Sequence, residues 1–574
     1  MVQVIINWLY ITLTSYTVGY AIYRLLYKAL KADVDSMPAE GENPLIKVFL
    51  GLATVTVYAE IWSLFGGVGL AANIVLMFAT TGLLFFYGKN IGQDISHYTK
   101  FAFVSPKAAI LTGVYALITV IVAYGTSRGY MHIDTNLYHA QAIRWIEEYG
   151  VVPGLANLHG RFGYNSAEFA LNALYSMRWI FGQSLHATAG YFVLMGAYVA
   201  LDLRKVFTFK EKPHVRLSDP IRVGLIFYLC KIFIEMVAPA SDYYAQTMIF
   251  IILILWLDAK DEAEDPMPIY AMLSILMAYA VTIKLSIGLL VFIAVVPAVS
   301  LVKNKNIKGI VACIVSGLVI SIPFFIRNII ISGRMLYPST AFDFFNVDWK
   351  ISREEAIFDR QEIGLYGKGY IDMSHVEDPL KVWVPNWFSG LHNLEKLWAL
   401  ATAAALIAGV VYIVIQFVKK KETDWNRILL LVTFSVGTLF WFTQAPLIRY
   451  GYAYIIIMPM FVFGMIYTDL LESIKNEPVN NFLTGAFLVC SFFFLMTRAY
   501  NLVTDISITV NDNCYVNQQD YDDGEAFTYE VDGVTIYVAN DSGQIGYNKF
   551  PSSPFVVDDL HLRGNDLKDG FIRY

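Results

Sequence analysis

The chain has 574 residues, 56% of them apolar and 16% charged, with a mean hydropathy of +0.51 and a formal net charge of −6. Soluble domains carry roughly 25% charged residues, so charge this scarce over this length points to a polytopic membrane protein. A cytosolic enzyme, a secreted disulfide scaffold and a nucleic-acid binder are excluded, the last because the chain has no basic field.

Runs of about 20 apolar residues suffice to cross a bilayer. They predict an all-α membrane protein of about 14 transmembrane helices, centred on 4–29, 46–65, 68–87, 107–125, 186–203, 220–238, 243–258, 268–283, 285–302, 309–331, 397–417, 428–444, 453–470 and 481–498. The apolar opening, Met1 to Ala29, has no basic start and no small-residue cleavage site, so it is expected to be a retained helix. Cys230, Cys313 and Cys490 lie in apolar runs, which leaves Cys514 without a partner in the tail.

Short loops rich in Lys and Arg mark the cytoplasmic side. They hold Arg24, Lys28, Lys31, Lys47, Lys89, Lys100 and Lys107, then Arg204, Lys205, Lys210, Lys212, Arg216 and Arg222, then Lys303, Lys305, Lys308, Lys419, Lys420 and Lys421. Two long loops, 126–184 and 332–396, and the tail then face outward from the cytoplasmic membrane. Functional residues concentrate on loops held by a rigid scaffold, so the active face is expected outside. The tail is acidic, with 13 Asp/Glu against four Lys/Arg over 501–574. Its segment AFTYEVDGVTIYVAN alternates apolar and polar residues around Asp532-Gly533, which predicts a small β-module.

The first outer loop carries HIDTNLYHAQAIRWIEEYG, where Tyr138, Ala142, Trp145, Ile146 and Tyr149 recur at helical spacing. Asp134 falls at the start of that helix, where a carboxylate commonly serves as an N-cap and can also face a cleft. His132, Asp134 and His139 offer a metal-ligand alternative, although their spacing matches no standard zinc pattern. His159 and Arg161 sit in a Gly-rich bend, NLHGRFGYNS, suited to lining a pocket.

Charges inside apolar runs are costly and default to function. Lys231 and Glu235, four apart, are expected to pair on one helix face. Asp242 marks a helix end in SDYYAQ. Lys284 interrupts an apolar stretch with no acid near it in sequence, so a bound anion is its natural partner. Arg327 and Arg449 fall at outer helix ends, where Arg often snorkels. Together with Lys284 they suggest a phosphate site. A sugar carried on a lipid phosphate already has a good leaving group, so its transfer needs one base and cations for the phosphate. Glycoside hydrolysis wants two flanking carboxylates instead.

In this order the motifs resemble the GT-C superfamily of membrane glycosyltransferases, nearest its protein-mannosyltransferase and aminoarabinose-transferase branch. The resemblance rests on Asp134 in HIDTNLYHAQAIRW, Asp242 in SDYYAQ, Thr282-Ile283-Lys284, Arg327-Asn328 with Gly333 and Tyr337-Pro338, and Arg449-Tyr450. It covers roughly 107–460. It implies a GT-C-like core over 107–331 with the second loop at 332–396, helices over 397–498 and a β-rich tail over 499–574. Residues 1–106 add three helices before that core. The activity implied is transfer of a sugar from a polyprenyl-phosphate carrier to a lipid, glycan or protein acceptor, with inversion. Asp134 would be the base, Lys284, Arg327 and Arg449 the phosphate holders, and His139, His159, Arg161, Asp242 and Tyr337 the substrate pocket. Thr135 stands where the family often has a second acid, so no metal or other cofactor is expected, with a divalent cation as the alternative. Rival readings are a flippase of lipid-linked sugars, a glycan polymerase or ligase, and a scaffold presenting the tail.

Overall fold

The computed structural model describes residues 1–31, 43–201, 215–418, 424–509, 514–540 and 543–574. The expected inner-loop cations Arg204, Lys205, Lys210, Lys212, Lys419, Lys420 and Lys421 lie outside the described residues.

Most of the chain is helical, and among the described residues ten helices are long and apolar enough to cross a membrane. The other four expected segments are helical but fall short of that measure. Thr188–Ala200 and Met267–Ile283 are apolar but short. Val2–Leu30 is long, with Asn7, Thr14, Ser15 and Thr17 buried inside the bundle. The segment expected at 220–238 is not one continuous helix: Ser218–Ile232 gives way to a tighter turn, Phe233–Glu235. That turn breaks the four-residue spacing on which a Lys231–Glu235 pair depends. Glu235 instead accepts from the Tyr243 hydroxyl, and Lys231 lies within electrostatic reach of Asp505.

The first two helices cross at two glycines. A Cβ on Gly19 would sit 1.7 Å from the Lys47 carbonyl oxygen, and one on Gly51 would sit 1.7 Å from that of Ser15. Small residues are what let membrane helices touch backbone to backbone. Nearby, Lys47 pairs with Asp94 in a site where both are buried, and the Tyr16 hydroxyl donates to the same carboxylate at 2.9 Å. The ion pair ties the second helix to Leu70–Val104.

The second long loop holds two helices, Arg353–Gly367 and Leu380–Gly390. The last helix runs over Glu477–Thr509, past the expected end at 498. The tail then forms the expected β-module. Ala526–Val531 pairs antiparallel with Val534–Ala539, closed by Asp532 and Gly533 at φ +48° and +84°, the positive-φ pair that a tight hairpin needs. Ser552–Ser553 adds a parallel strand, and Leu560–Leu562 pairs with Phe571–Arg573. This module packs on the first long loop, 126–184: the Phe571 N–H donates to the Pro153 carbonyl at 3.0 Å, and Arg573 Nε donates to that of Asn157 at 2.9 Å.

Candidate functional site

Four helix ends meet at one end of the bundle. Asp134 follows the Pro106–Ser127 helix, Asp242 is the second residue of Ser241–Glu262, Lys284 caps Met267–Ile283, and Arg449 is the second residue of Ile448–Ser473. Their side chains form one ion-pair network. Arg449 Nη2 lies 2.6 Å from Asp134 Oδ2, its Nε lies 3.4 Å from Asp242 Oδ2, and Lys284 pairs with the other oxygen of Asp242. Lys284 Nζ also stands 4.3 Å from the centre of the Tyr450 ring, a cation–π contact that fixes its direction. The anion partner expected for Lys284 is therefore supplied within the chain, by a carboxylate 42 positions away in sequence.

Asp134 takes the N-cap position but makes no cap hydrogen bond; its carboxylate turns to Arg449. The turn that follows, Thr135–His139, is π-helical, and such turns concentrate at functional sites. Burial opposes the charge on Asp134. The Arg449 guanidinium, by its charge and its hydrogen bond, outweighs it and holds the carboxyl below the usual range. His132 Nδ1 accepts from the Asp134 N–H at 3.1 Å and lies 3.0 Å from Arg449 Nη1. Two donors on one ring nitrogen require the neutral ring with its proton on Nε2, and burial, then Arg449, lowers its pKa accordingly. With Nδ1 so occupied, the three-residue metal alternative loses a ligand atom. Among the described residues no group of three or more His, Cys, Asp or Glu is placed to hold a metal ion.

A second cluster lies beside the first and joins the two long loops, 126–184 and 332–396. Arg161 pairs with Asp359 at 3.2 Å and with Glu362 at 2.6 Å, and the Tyr337 hydroxyl donates to Asp359 at 2.9 Å. The Tyr164 and Tyr337 rings meet edge to face at 5.3 Å. Tyr138 links the clusters, since it is within electrostatic reach of both Asp134 and Arg161. Asp359, Glu362, Tyr138 and Tyr164 were missed in the sequence. Asp359 and Glu362 belong to no motif in the sequence, and only the pairing with Arg161 marks them.

Three expected site residues sit differently. Arg327 does not join Lys284 and Arg449: it is 1% exposed and bonds to Ser63 and, at 3.1 Å, to Asn165, with Glu60 at 3.9 Å. Its guanidinium faces the N-terminal helices and holds a buried acid. His159 lines no open pocket. It is buried between the rings of Phe162 and Phe555 with neither nitrogen bonded, and burial lowers its pKa to about 3. His139 is likewise buried, against Tyr138 and Phe169, with its pKa lowered to about 3 by the same cause.

The tail grips the π-helical turn. The N–H groups of Ile545 and Gly546 both donate to the Asn136 carbonyl, at 3.1 and 3.0 Å. Gln141 Nε2 donates back to the carbonyls of Gly546 and Lys549, each at 2.9 Å.

At the opposite end, two adjoining cavities of about 430 and 470 Å³ are lined by Lys260, Arg427 and Glu472 among others. Charges there already neutralise one another, with Lys260 on Asp424 and Arg427 on Asp469 at 2.9 Å.

A family model described as a domain of unknown function, DUF8201, matches residues 1–456. That span holds all four converging residues and stops short of the tail. No curated protein and no solved structure matches the chain. With most of its length matched, the chain belongs to the DUF8201 family.

Proposed function

We propose that this protein is a membrane glycosyltransferase with a fourteen-helix, GT-C-like architecture. It takes a sugar from a polyprenyl-phosphate carrier and passes it to an acceptor on the outer face of the cytoplasmic membrane. The observation that carries this reading is the convergence of Asp134, Asp242, Lys284 and Arg449 from four helix ends into one partly open network.

Asp134 is the base. It is ionised and 22% exposed, and it can accept the proton of an incoming hydroxyl as that oxygen attacks the anomeric carbon. The C–O bond to the phosphate breaks on the opposite side, which gives inversion, and the carrier phosphate leaves with the bonding pair. Lys284 and Arg449 hold that phosphate as its charge grows. A donor phosphate competes with the two carboxylates for these cations. As it draws Arg449 away, Asp134 loses the partner that keeps its proton affinity low, so donor binding primes the base. Arg161, Asp359, Glu362, Tyr164 and Tyr337 offer carboxylates, hydroxyls and ring faces to the sugar or acceptor. Arg327 drops out of the donor site.

Lipid-linked sugars measured by mass spectrometry in the host test this. A strain lacking the gene should accumulate one polyprenyl-phosphate sugar, which the wild-type gene clears. An unchanged lipid pool would overturn the reading. Accumulation confined to the inner leaflet would favour a transporter.

A further inference from the structure

The loop after the Ile307–Ser332 helix leaves and returns to the same helix end. The Ile351 N–H donates to the Ser332 carbonyl at 3.1 Å, and the Trp349 indole N–H donates to that of Ile329 at 3.2 Å. Gly333 turns the chain at φ +72°, and Lys350 packs directly on it. Residues 334–350 are thus a closed excursion from the end of a candidate span.

Its tip is apolar and uncovered. Phe342, Phe344 and Phe345 are 53%, 71% and 37% exposed. Phe342 has φ +59°, a conformation that bulky residues rarely adopt, and it throws two neighbouring rings outward, 6.0 Å apart. The one acid at the tip, Asp343, is neutralised by Lys350 and, at 3.7 Å, by Arg334. Lys350 Nζ also donates to the Phe345 carbonyl at 2.7 Å and so stiffens the tip. Over residues 334–350 the cations Arg334 and Lys350 balance the acids Asp343 and Asp348, so the excursion carries no net charge beneath three phenyl rings.

The depth of the loop follows from its stem. A 26-residue helix is about 39 Å long, against a hydrocarbon core of about 30 Å. Its end therefore lies at headgroup depth. The same helix exposes Val311, Ile314, Val315, Leu318, Val319, Ile322 and Ile326 along its length, a flank that only lipid would cover. Aromatic rings with cations behind them are the residues that settle at a membrane interface.

We infer that Phe342, Phe344 and Phe345 insert into the lipid headgroup–acyl boundary and anchor the second long loop to the bilayer surface. The loop's far end, at Arg353–Gly367, carries Asp359 and Glu362, so the anchor also sets the height of the Arg161 cluster above the membrane. The inference does not depend on the transferase reading.

The test places an environment-sensitive fluorophore at Phe344→Cys in the full chain, with Cys230, Cys313, Cys490 and Cys514 replaced, in phosphatidylcholine–phosphatidylglycerol nanodiscs. Tyr574→Cys, at an 87% exposed position on the tail, is the comparison. Lipids spin-labelled near the headgroup should quench the Phe344→Cys probe about twofold or more beyond the Tyr574→Cys probe, and iodide should quench it less. Equal quenching of both probes by iodide would overturn the inference, because the loop would then stand in water. Protection from both quenchers would also overturn it, because protein would then cover the tip. A label at Phe345→Cys guards against distortion at a single site and should give the same order.

Discussion

At Asp134 the account is sharpest, because one carboxylate has two competing uses, cap and base, and the side chain leaves the cap position empty to meet Arg449. Held below the usual carboxylate range by Arg449, it is ionised at neutral pH. The pH profile of kcat/KM, which reports the groups of the donor-free protein, should then show no acid limb from this group near neutral pH. Lys284 and Arg327 looked equivalent in sequence, as lone cations in apolar runs, but their predicted substitutions differ. Lys284→Met should weaken donor binding by about tenfold or more, the cost of one charged hydrogen bond, with little loss of fold. Arg327→Met removes the buried donors that reach Ser63 and Asn165 and should destabilise the protein by about 1–3 kcal/mol, read as a lowered unfolding temperature. His159 makes a third prediction. Its folded pKa of about 3 lies below an unfolded value near 6.5, so the unfolded chain binds the extra proton. Stability therefore falls as pH drops from about 6.5 toward 3. His159→Phe fits the aromatic surroundings and should remove that loss, making the protein about 2 kcal/mol more stable than wild type at pH 5. An unchanged pH dependence would mean the ring is hydrated.

At the scale of elements, the tail does more than cover the site. Its Ile545 and Gly546 amides satisfy the Asn136 carbonyl inside the π-helical turn, and Gln141 answers from the helix that follows. A π-helical turn is less favourable than an α-helix, and these bonds are what hold it open. Gly546 lies at φ +80°, where an added Cβ would meet the Asp522 carbonyl at 1.9 Å. Gly546→Ala should cost about 1–3 kcal/mol in the tail's docking. Amide hydrogen exchange at Thr135–His139 should then speed up while the membrane helices keep their protection. Unchanged exchange in that turn would show that the tail is only adjacent. The hairpin at Asp532-Gly533 was legible because its turn is local chemistry. Its docking on Pro153 and Asn157 was not, because nothing in residues 501–574 says which surface their backbone amides will meet.

For the whole molecule, apolar run length located each of the ten helices that, among the described residues, are long and apolar enough to cross a membrane, since that signal is carried within each segment. It also marked segments where the helix is short or interrupted, as at Thr188–Ala200 and at Phe233–Glu235. The site was half legible. Asp134, Asp242, Lys284 and Arg449 stood out singly, because an ionised group at a helix end in an apolar chain is conspicuous. Their pairing was not legible, for Lys284 meets Asp242 and Arg449 meets Asp134 only through the packing of four helices. The same limit hid Asp359 and placed Arg327 in the wrong group. The central claim is that this network performs transfer and that Asp134 takes the proton. It is tested most directly by the rate at which purified protein in liposomes releases polyprenyl phosphate from the lipid-linked sugar that accumulates in the deletion strain. Asp134→Asn should slow release by about 100-fold or more while the protein inserts and unfolds as wild type does. Release at the wild-type rate by Asp134→Asn would contradict the account.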